Sequence, residues 1–133
     1  MKKIYFKNRL AAIIIRHSSY KKKDGISFFT KNQFPIQVAS MKHKKNHQIK
    51  PHIHQKFLRK IYVTSEVLII QKGELIIEFF NTKKVLLKKY LAKKNDIIIF
   101  YSGIHGFKVK KNCEFIEVKQ GPYLPHLDKK VLI

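Results

Sequence analysis

Acidic side chains are scarce in this chain: 8 Asp and Glu stand against 29 Lys and Arg, giving a formal net charge of +21 over 133 residues. Arginine is scarce as well, present only as Arg9, Arg16 and Arg59. Planar, bidentate contacts to phosphate or guanine favour arginine over lysine. The lysines run from Lys2 to Lys130 and travel with abundant Ile and Asn, as expected of an AT-rich coding sequence, so a dedicated nucleic-acid reader is disfavoured. Runs such as Lys21-Lys22-Lys23 and Lys42-His43-Lys44-Lys45 read as solvated loops. The positive field would still draw a pyrophosphate-bearing nucleotide sugar, an anionic lipid-linked sugar or a membrane surface, in a salt-dependent way.

The single cysteine, Cys113, excludes an internal disulfide, fits a reducing cytoplasm, and is expected to pack as a small hydrophobe. No uninterrupted apolar stretch approaches the ~20 residues of a membrane-spanning helix. Residues 10–15 are apolar but end at Arg16, and the N-terminus lacks the ordered regions of a cleaved leader, so a cytoplasmic protein is expected. There is no internal repeat and no low-complexity linker beyond the lysine runs.

What is present is a hydrophobic content of 44%, enough for one core in one domain. Strand signals dominate from about Pro35: short β-branched runs bounded by turn residues, the pattern of an all-β barrel or sandwich. Residues 36–41 alternate and 67–70 form an apolar run. Lys72-Gly73 is expected to turn the chain into a strand over 74–80, and Asn81-Thr82 offers a second turn. Strands follow over 85–91, 97–101 and 114–119, with residues 93–96 as a break. Residues 8–15 are β-branched enough to predict a strand rather than a short helix.

The chemistry lies in the histidines. In Pro51-His52-Ile53-His54 the two imidazoles are one residue apart, and on an extended strand such residues project from one face. With Glu66 and His105 they make a donor set suited to a divalent transition metal with open coordination positions. Glu66, ahead of an apolar run, is a carboxylate that a metal or a cation must compensate; a salt bridge to one of the many lysines is the alternative. The plain alternative for the histidines is a set of surface residues in a Lys- and His-rich stretch, and for His17, His43, His47 and His126 that reading is preferred. Tyr62, Phe79, Tyr101 and Phe107 are candidates to line a pocket, although most strand aromatics are core. The hydroxyls of Tyr62 and Tyr101 could hydrogen-bond a sugar or donate a proton.

The spacing of His52, His54, Glu66 and Gly73, followed by His105 within Gly103-Ile104-His105-Gly106-Phe107, resembles the two motifs of the cupin family. The likeness covers roughly residues 36 to 123. Asn46 and Asn95 stand where that family has glycine, and residues 55–65 form a longer spacer before Glu66 than the general motif has, a candidate flap beside the pocket. The spacer, the early Asp24-Gly25-Ile26-Ser27-Phe28-Phe29 and the late Phe115-Ile116-Glu117-Val118-Lys119-Gln120-Gly121-Pro122-Tyr123 are similar to small cupins encoded beside bacterial surface-polysaccharide and nucleotide-sugar biosynthesis functions. The resemblance implies an all-β double-stranded β-helix, a jelly-roll-like barrel over 35–133, with residues 1–34 as an extension of one or two strands packed on it. It implies a divalent metal (iron, zinc, nickel or manganese) on His52, His54, Glu66 and His105. Lys119 and Gln120 would serve the pocket rim or a subunit contact, and homodimers pairing through sheet edges are expected.

Three functions follow. The first is a metal-dependent sugar isomerase or epimerase, with Glu66 moving a proton and Tyr101 as a further catalytic candidate. The second is a non-catalytic module that binds a saccharide or a metal. The third, least favoured beside a cupin dioxygenase, is a basic nucleic-acid-binding protein.

Overall fold

A computed structural model describes residues 1–20, 24–124 and 126–132. The Lys21-Lys22-Lys23 run therefore lies outside the described residues. The chain is nearly all β. Its elements are β1 (Lys2–Phe6), β2 (Arg9–Ile15), a single helical turn α1 (His17–Tyr20), β3 (Gly25–Phe28), β4 (Ala39–Lys42), β5 (Glu66–Phe80), β6 (Leu86–Lys93), β7 (Ile97–Phe100) and β8 (Ile104–Lys119). Among the described residues no helix is long and apolar enough to cross a membrane.

The expected strand over 8–15 is present as β2, and β1 precedes it across a tight hairpin. Lys7 and Asn8 take φ of 47° and 61°, the double positive-φ pair that matches a two-residue turn to strand twist. β2 pairs with β7, so residues 2–15 belong to the main sheet rather than to a layer laid upon it. Only β3 and β4 stand apart, as a two-stranded sheet.

β5 is the spine. Its first part, Glu66–Ile69, pairs with β7, its second, Glu74–Phe80, pairs with β6, and β8 runs antiparallel along its other side from end to end. The turn expected at Lys72-Gly73 is instead a bend inside one strand. Gly73 has φ 78°, and a Cβ built there would lie 1.9 Å from the carbonyl oxygen of Asn112 and 2.4 Å from that of Lys111. The register slips around this point, between Ile70 and Leu75. Bulges bend and twist a strand locally, so the β5–β8 ribbon folds over at Gly73 and its two halves face each other.

Between the halves lies one core cluster: Ile4, Ala12, Ile14, Leu68, Ile70, Leu75, Ile77, Phe79, Ile98 and Phe100 are all essentially solvent-free. A second cluster, Ile13, Ile15, Val67, Ile99 and Tyr101, occupies the opposite face of the β2–β7–β5 region and is covered by Phe29, Phe34, Ile36 and Val38. β2 and β7 are thus buried on both faces, which is why they appear in the sequence as continuous apolar runs rather than alternating ones. The sheet does not close into a barrel: among the described residues β1, β6 and β8 each have one ladder partner.

The few acids serve the corners. Asp96, buried between β6 and β7, accepts the Arg16 guanidinium and the backbone N–H groups of His17 (3.2 Å) and Lys93 (3.0 Å), while Arg16 also donates to the Leu91 carbonyl at 2.7 Å. Its neighbour Asn95, at φ 66°, and Asn46, at φ 67°, hold the left-handed backbone that glycine would otherwise supply. The Asn81 side chain accepts from the N–H groups of Lys83 and Val85, both at 2.9 Å, and so builds the expected turn there.

Gly73→Ala should be the most damaging small change in the sheet, because both the positive φ and the Asn112 backbone oppose a Cβ. A loss of at least about 2 kcal/mol is expected in chemical denaturation; a loss within error of zero would show that the bend tolerates a side chain.

Candidate functional site

Glu66 opens β5, where it pairs with Phe100 and Lys119, whereas His105, the second residue of β8, pairs with Phe79 at the far end of β5. The fold-over at Gly73 brings the two ends together. His105 Nε2 lies 3.1 Å from Glu66 Oε2, and both side chains are largely buried. The ring is fixed from two further directions. Its Nδ1 lies 3.1 Å from the Gly103 carbonyl oxygen, and Phe100 stacks on it at 4.3 Å between centroids and 16° between planes.

Both ring nitrogens thus face acceptor oxygens. A doubly protonated imidazolium donates to both; a neutral ring that donates from Nδ1 to Gly103 leaves Nε2 with a lone pair toward Glu66, a place for a proton or a cation. The hydrogen bond from His105 holds the Glu66 carboxyl below its ordinary value of 4.5, against an opposing push from burial and with help from the charges of His105, Lys119 and Lys129. Lys119 itself donates to Asp128 at 2.5 Å, lies 4.7 Å above the Tyr123 ring, and has its own pKa raised, chiefly by that hydrogen bond. Gln120 Oε1 accepts the Ser65 N–H at 2.7 Å, which pins the residue just before Glu66.

An aromatic bed extends from the pair: Phe107 lies 5.5 Å from Phe100 and 5.6 Å from His105, and Phe115 lies 6.5 Å from Phe107. Phe107 and Phe115 remain more than a third exposed, so the bed is open to solvent. Such faces suit the apolar side of a sugar ring or a nucleobase.

The other expected residues lie elsewhere. His52 and His54 fall in the exposed stretch between β4 and β5, which forms no strand because no ladder partner is set against it. Their rings meet edge-on at 5.2 Å, and His52 Nδ1 lies 3.0 Å from the Lys50 carbonyl oxygen. The anticipated quartet is thus present as two pairs. Among the described residues no group of three or more His, Cys, Asp or Glu is placed to hold a metal ion. The Glu66–His105 half suits a metal, with one nitrogen anchored to a carbonyl and the other directed at a carboxylate, but two donors do not complete a site.

Tyr101 is also apart. It follows Phe100 and so points to the other face of the sheet, where it packs 4.5 Å from Phe34. Its hydroxyl has no hydrogen-bond partner among the described residues, and burial pushes its pKa up to about 12. Tyr62 is exposed and Phe79 is core. Phe100 and Asp128 are parts of the site that motif spacing did not reveal, and Gly103 and Phe115, although within the matched stretches, were given no role there. For Phe100 a signal existed, since strand alternation separates it from Tyr101 and assigns it to the opposite face.

A separate open depression of about 490 Å3 is lined by Arg16, His17, Lys93, Lys94 and Asp96, and includes neither Glu66 nor His105. No protein-family model matches the chain, and neither characterised proteins nor solved structures include a significant match.

Because the Glu66 carboxyl is lowered in the fold, the pair contributes stability that is fully present above 4.5 and is lost as pH falls through the lower folded value. Glu66→Gln should flatten that acid loss in denaturation series run from neutral pH to the acid side of 4.5; an unchanged pH profile would show that the contact carries no linkage. Tyr101→Phe removes a buried hydroxyl without a partner and should leave stability unchanged or raise it by about 1 kcal/mol in thermal unfolding. A clear loss would reveal a hydrogen bond to that oxygen.

Proposed function

We propose that the Glu66–His105 pair is the proton-handling centre of a protein acting on a sugar or nucleotide-sugar intermediate of surface-polysaccharide biosynthesis, with isomerase or epimerase chemistry, on a fold of the cupin double-stranded β-helix type. The observation that carries this reading is the 3.1 Å contact itself: a carboxylate kept ionised and an imidazole kept oriented, side by side at the open end of an aromatic bed.

A sugar lying on Phe107 and Phe115 would present a carbon-bound or hydroxyl proton to Glu66, and His105 would return a proton to the neighbouring oxygen. This division of roles is the one that isomerisation beside a carbonyl requires. The Gly103 carbonyl and the Phe100 ring hold the imidazole so that little reorganisation accompanies transfer. The net charge of +21 favours a substrate carrying a pyrophosphate. A divalent transition metal belongs to the same reading: His52 and His54 would supply the donors that the pair lacks, and such an ion, when bound, polarises a carbonyl or hydroxyl. A cytoplasmic location fits such substrates.

The second reading, a saccharide-binding module without turnover, is favoured by the exposed aromatic bed, which supports binding with or without chemistry.

The test is exchange of substrate protons with solvent, followed by NMR in deuterated buffer over a panel of nucleotide sugars and their keto derivatives. Wild type should exchange the proton next to the carbonyl. Glu66→Gln and His105→Asn should each slow exchange by about a hundredfold or more while binding persists. Binding without exchange in wild type would leave the non-catalytic module as the function, and no binding to any of the panel would sink both. Metal content of untagged protein, compared with a His52→Ala/His54→Ala variant, tests the metal separately: near-stoichiometric metal lost in the variant is expected, and metal-free wild type that takes up none would remove it.

A further inference from the structure

Of the three arginines, Arg16 alone is held by a carboxylate among the described residues. It follows the last residue of β2 and lines the open depression of about 490 Å3 beside the corner between β6 and β7. Its Nη1 makes both of its hydrogen bonds, to Asp96 and to the Leu91 carbonyl. Nε and Nη2 therefore keep their N–H groups for an outside acceptor. The guanidinium is thus fixed in place, yet the side chain is still 41% exposed.

Asp96 does not cancel that charge toward solvent. It is buried, its Oδ1 accepts the His17 N–H, and its Oδ2 accepts both the Arg16 guanidinium and the Lys93 N–H. Lys93 and Lys94 complete the basic lining. Lys94 is exposed and makes no ion pair among the described residues. Lys93 meets one carboxylate, Glu74, at 3.9 Å, and Glu74 lies closer to Lys110 at 3.2 Å. His17 adds a neutral donor: the Asn95 amide nitrogen lies 3.3 Å from its Nδ1, so Nδ1 accepts and the ring proton sits on Nε2. A fixed guanidinium with open N–H groups, flanked by two lysines, matches the oxygens of a phosphate. The volume lies in the range of small-molecule clefts and exceeds what one phosphate fills.

The depression is separate from the Glu66–His105 pair. Glu66 is paired with Phe100 at the end of β7, whereas Ile97 at its start is paired with Ile15, the residue before Arg16. Along the strand, Asp96 and Phe100 are roughly 13 Å apart, and Ile14, Leu68 and Ile98 fill the core beside that stretch.

We propose that this depression is a second binding site, for the phosphate or pyrophosphate group of a small phosphorylated molecule. Arg16 is its bidentate anchor, and Lys93 and Lys94 are its flanking charges. The site stands on the Arg16–Asp96 corner alone and does not depend on any chemistry at Glu66 and His105.

The experiment titrates the full chain with inorganic pyrophosphate at fixed, moderate ionic strength, by calorimetry and by amide NMR shifts. Wild type should bind saturably, one to one, with shifts centred on residues 16–18 and 93–96. Lys93→Gln/Lys94→Gln should weaken binding about tenfold or more. Lys44→Gln/Lys45→Gln makes the same change of charge in an exposed stretch and should leave affinity within about twofold of wild type. Glu66→Gln should bind as wild type does, which keeps this site distinct from the proposed catalytic pair. The amide spectra also show that each variant is folded. No saturable binding into the millimolar range, equal weakening by both lysine variants, or shifts centred on residues 100–107 would each overturn the proposal. Vesicles carrying a lipid-linked pyrophosphate, tested beside the soluble probe, identify the source. Retention of wild type but not of Lys93→Gln/Lys94→Gln supports the site with a lipid carrier, and soluble binding alone supports it with a free metabolite.

Discussion

The absence of a side chain at Gly73 is the constraint on which the molecule turns. The backbone of β8 passes so close to that α-carbon that its carbonyls at Lys111 and Asn112 occupy the space of a β-carbon. Because this approach is possible, β5 and β8 bend together as one ribbon, and the two halves of the ribbon enclose the cluster around Leu68, Leu75, Ile77, Phe79 and Phe100. The same bend sets the end of β5 against its beginning. Without it Glu66, at the start of β5, and His105, paired with Phe79 near its end, would have no means of meeting. Core and candidate site are therefore consequences of one backbone contact.

Scarcity of acid gives the electrostatics their order. In a field this positive each carboxylate has many cations to choose from, and geometry rather than availability decides which contacts matter. Asp96 ties the corner between β6 and β7 to Arg16 at the end of β2. Asp128 holds Lys119, whose backbone is paired with Glu66. Among the described residues Glu66 alone pairs with an imidazole, a group that can both donate and accept a proton. That is the physical reason to look for chemistry at Glu66 and for structure at the other two.

The parts legible in the sequence were those whose signal is local. β2 and β7 are β-branched runs buried on both faces, and Asn46, Asn81 and Asn95 mark backbone turns by their own stereochemistry. The partnership of Glu66 and His105 was legible through motif spacing, although composition and periodicity would not have found it. Four features were not read correctly. The expected turn at Lys72-Gly73 became a bend because β8 pairs across it, a long-range fact. The first half of β8 lies outside the strand expected over 114–119, because Lys108, Lys110 and Lys111 break up its apolar pattern. The strand expected at His52 and His54 has no ladder to join, so two imidazoles of suitable spacing stand apart from the pair they were expected to complete. Tyr101 was attractive for its hydroxyl, but strand alternation turns it away from Phe100 and His105.

The placement of β2 also governs the order of assembly. The β1–β2 hairpin can close on its own early, since its turn is local, yet among the described residues its one other ladder partner is β7, more than eighty residues later. Until β7 arrives, Ala12, Ile13, Ile14 and Ile15 have apolar side chains on both faces and nothing to cover either. Long-range strand pairing of this kind is slow to form and leaves sticky intermediates. A hairpin that can close locally thus waits for a distant strand to cover it, and Lys2 and Lys3 on β1 keep its free edge charged in the meantime.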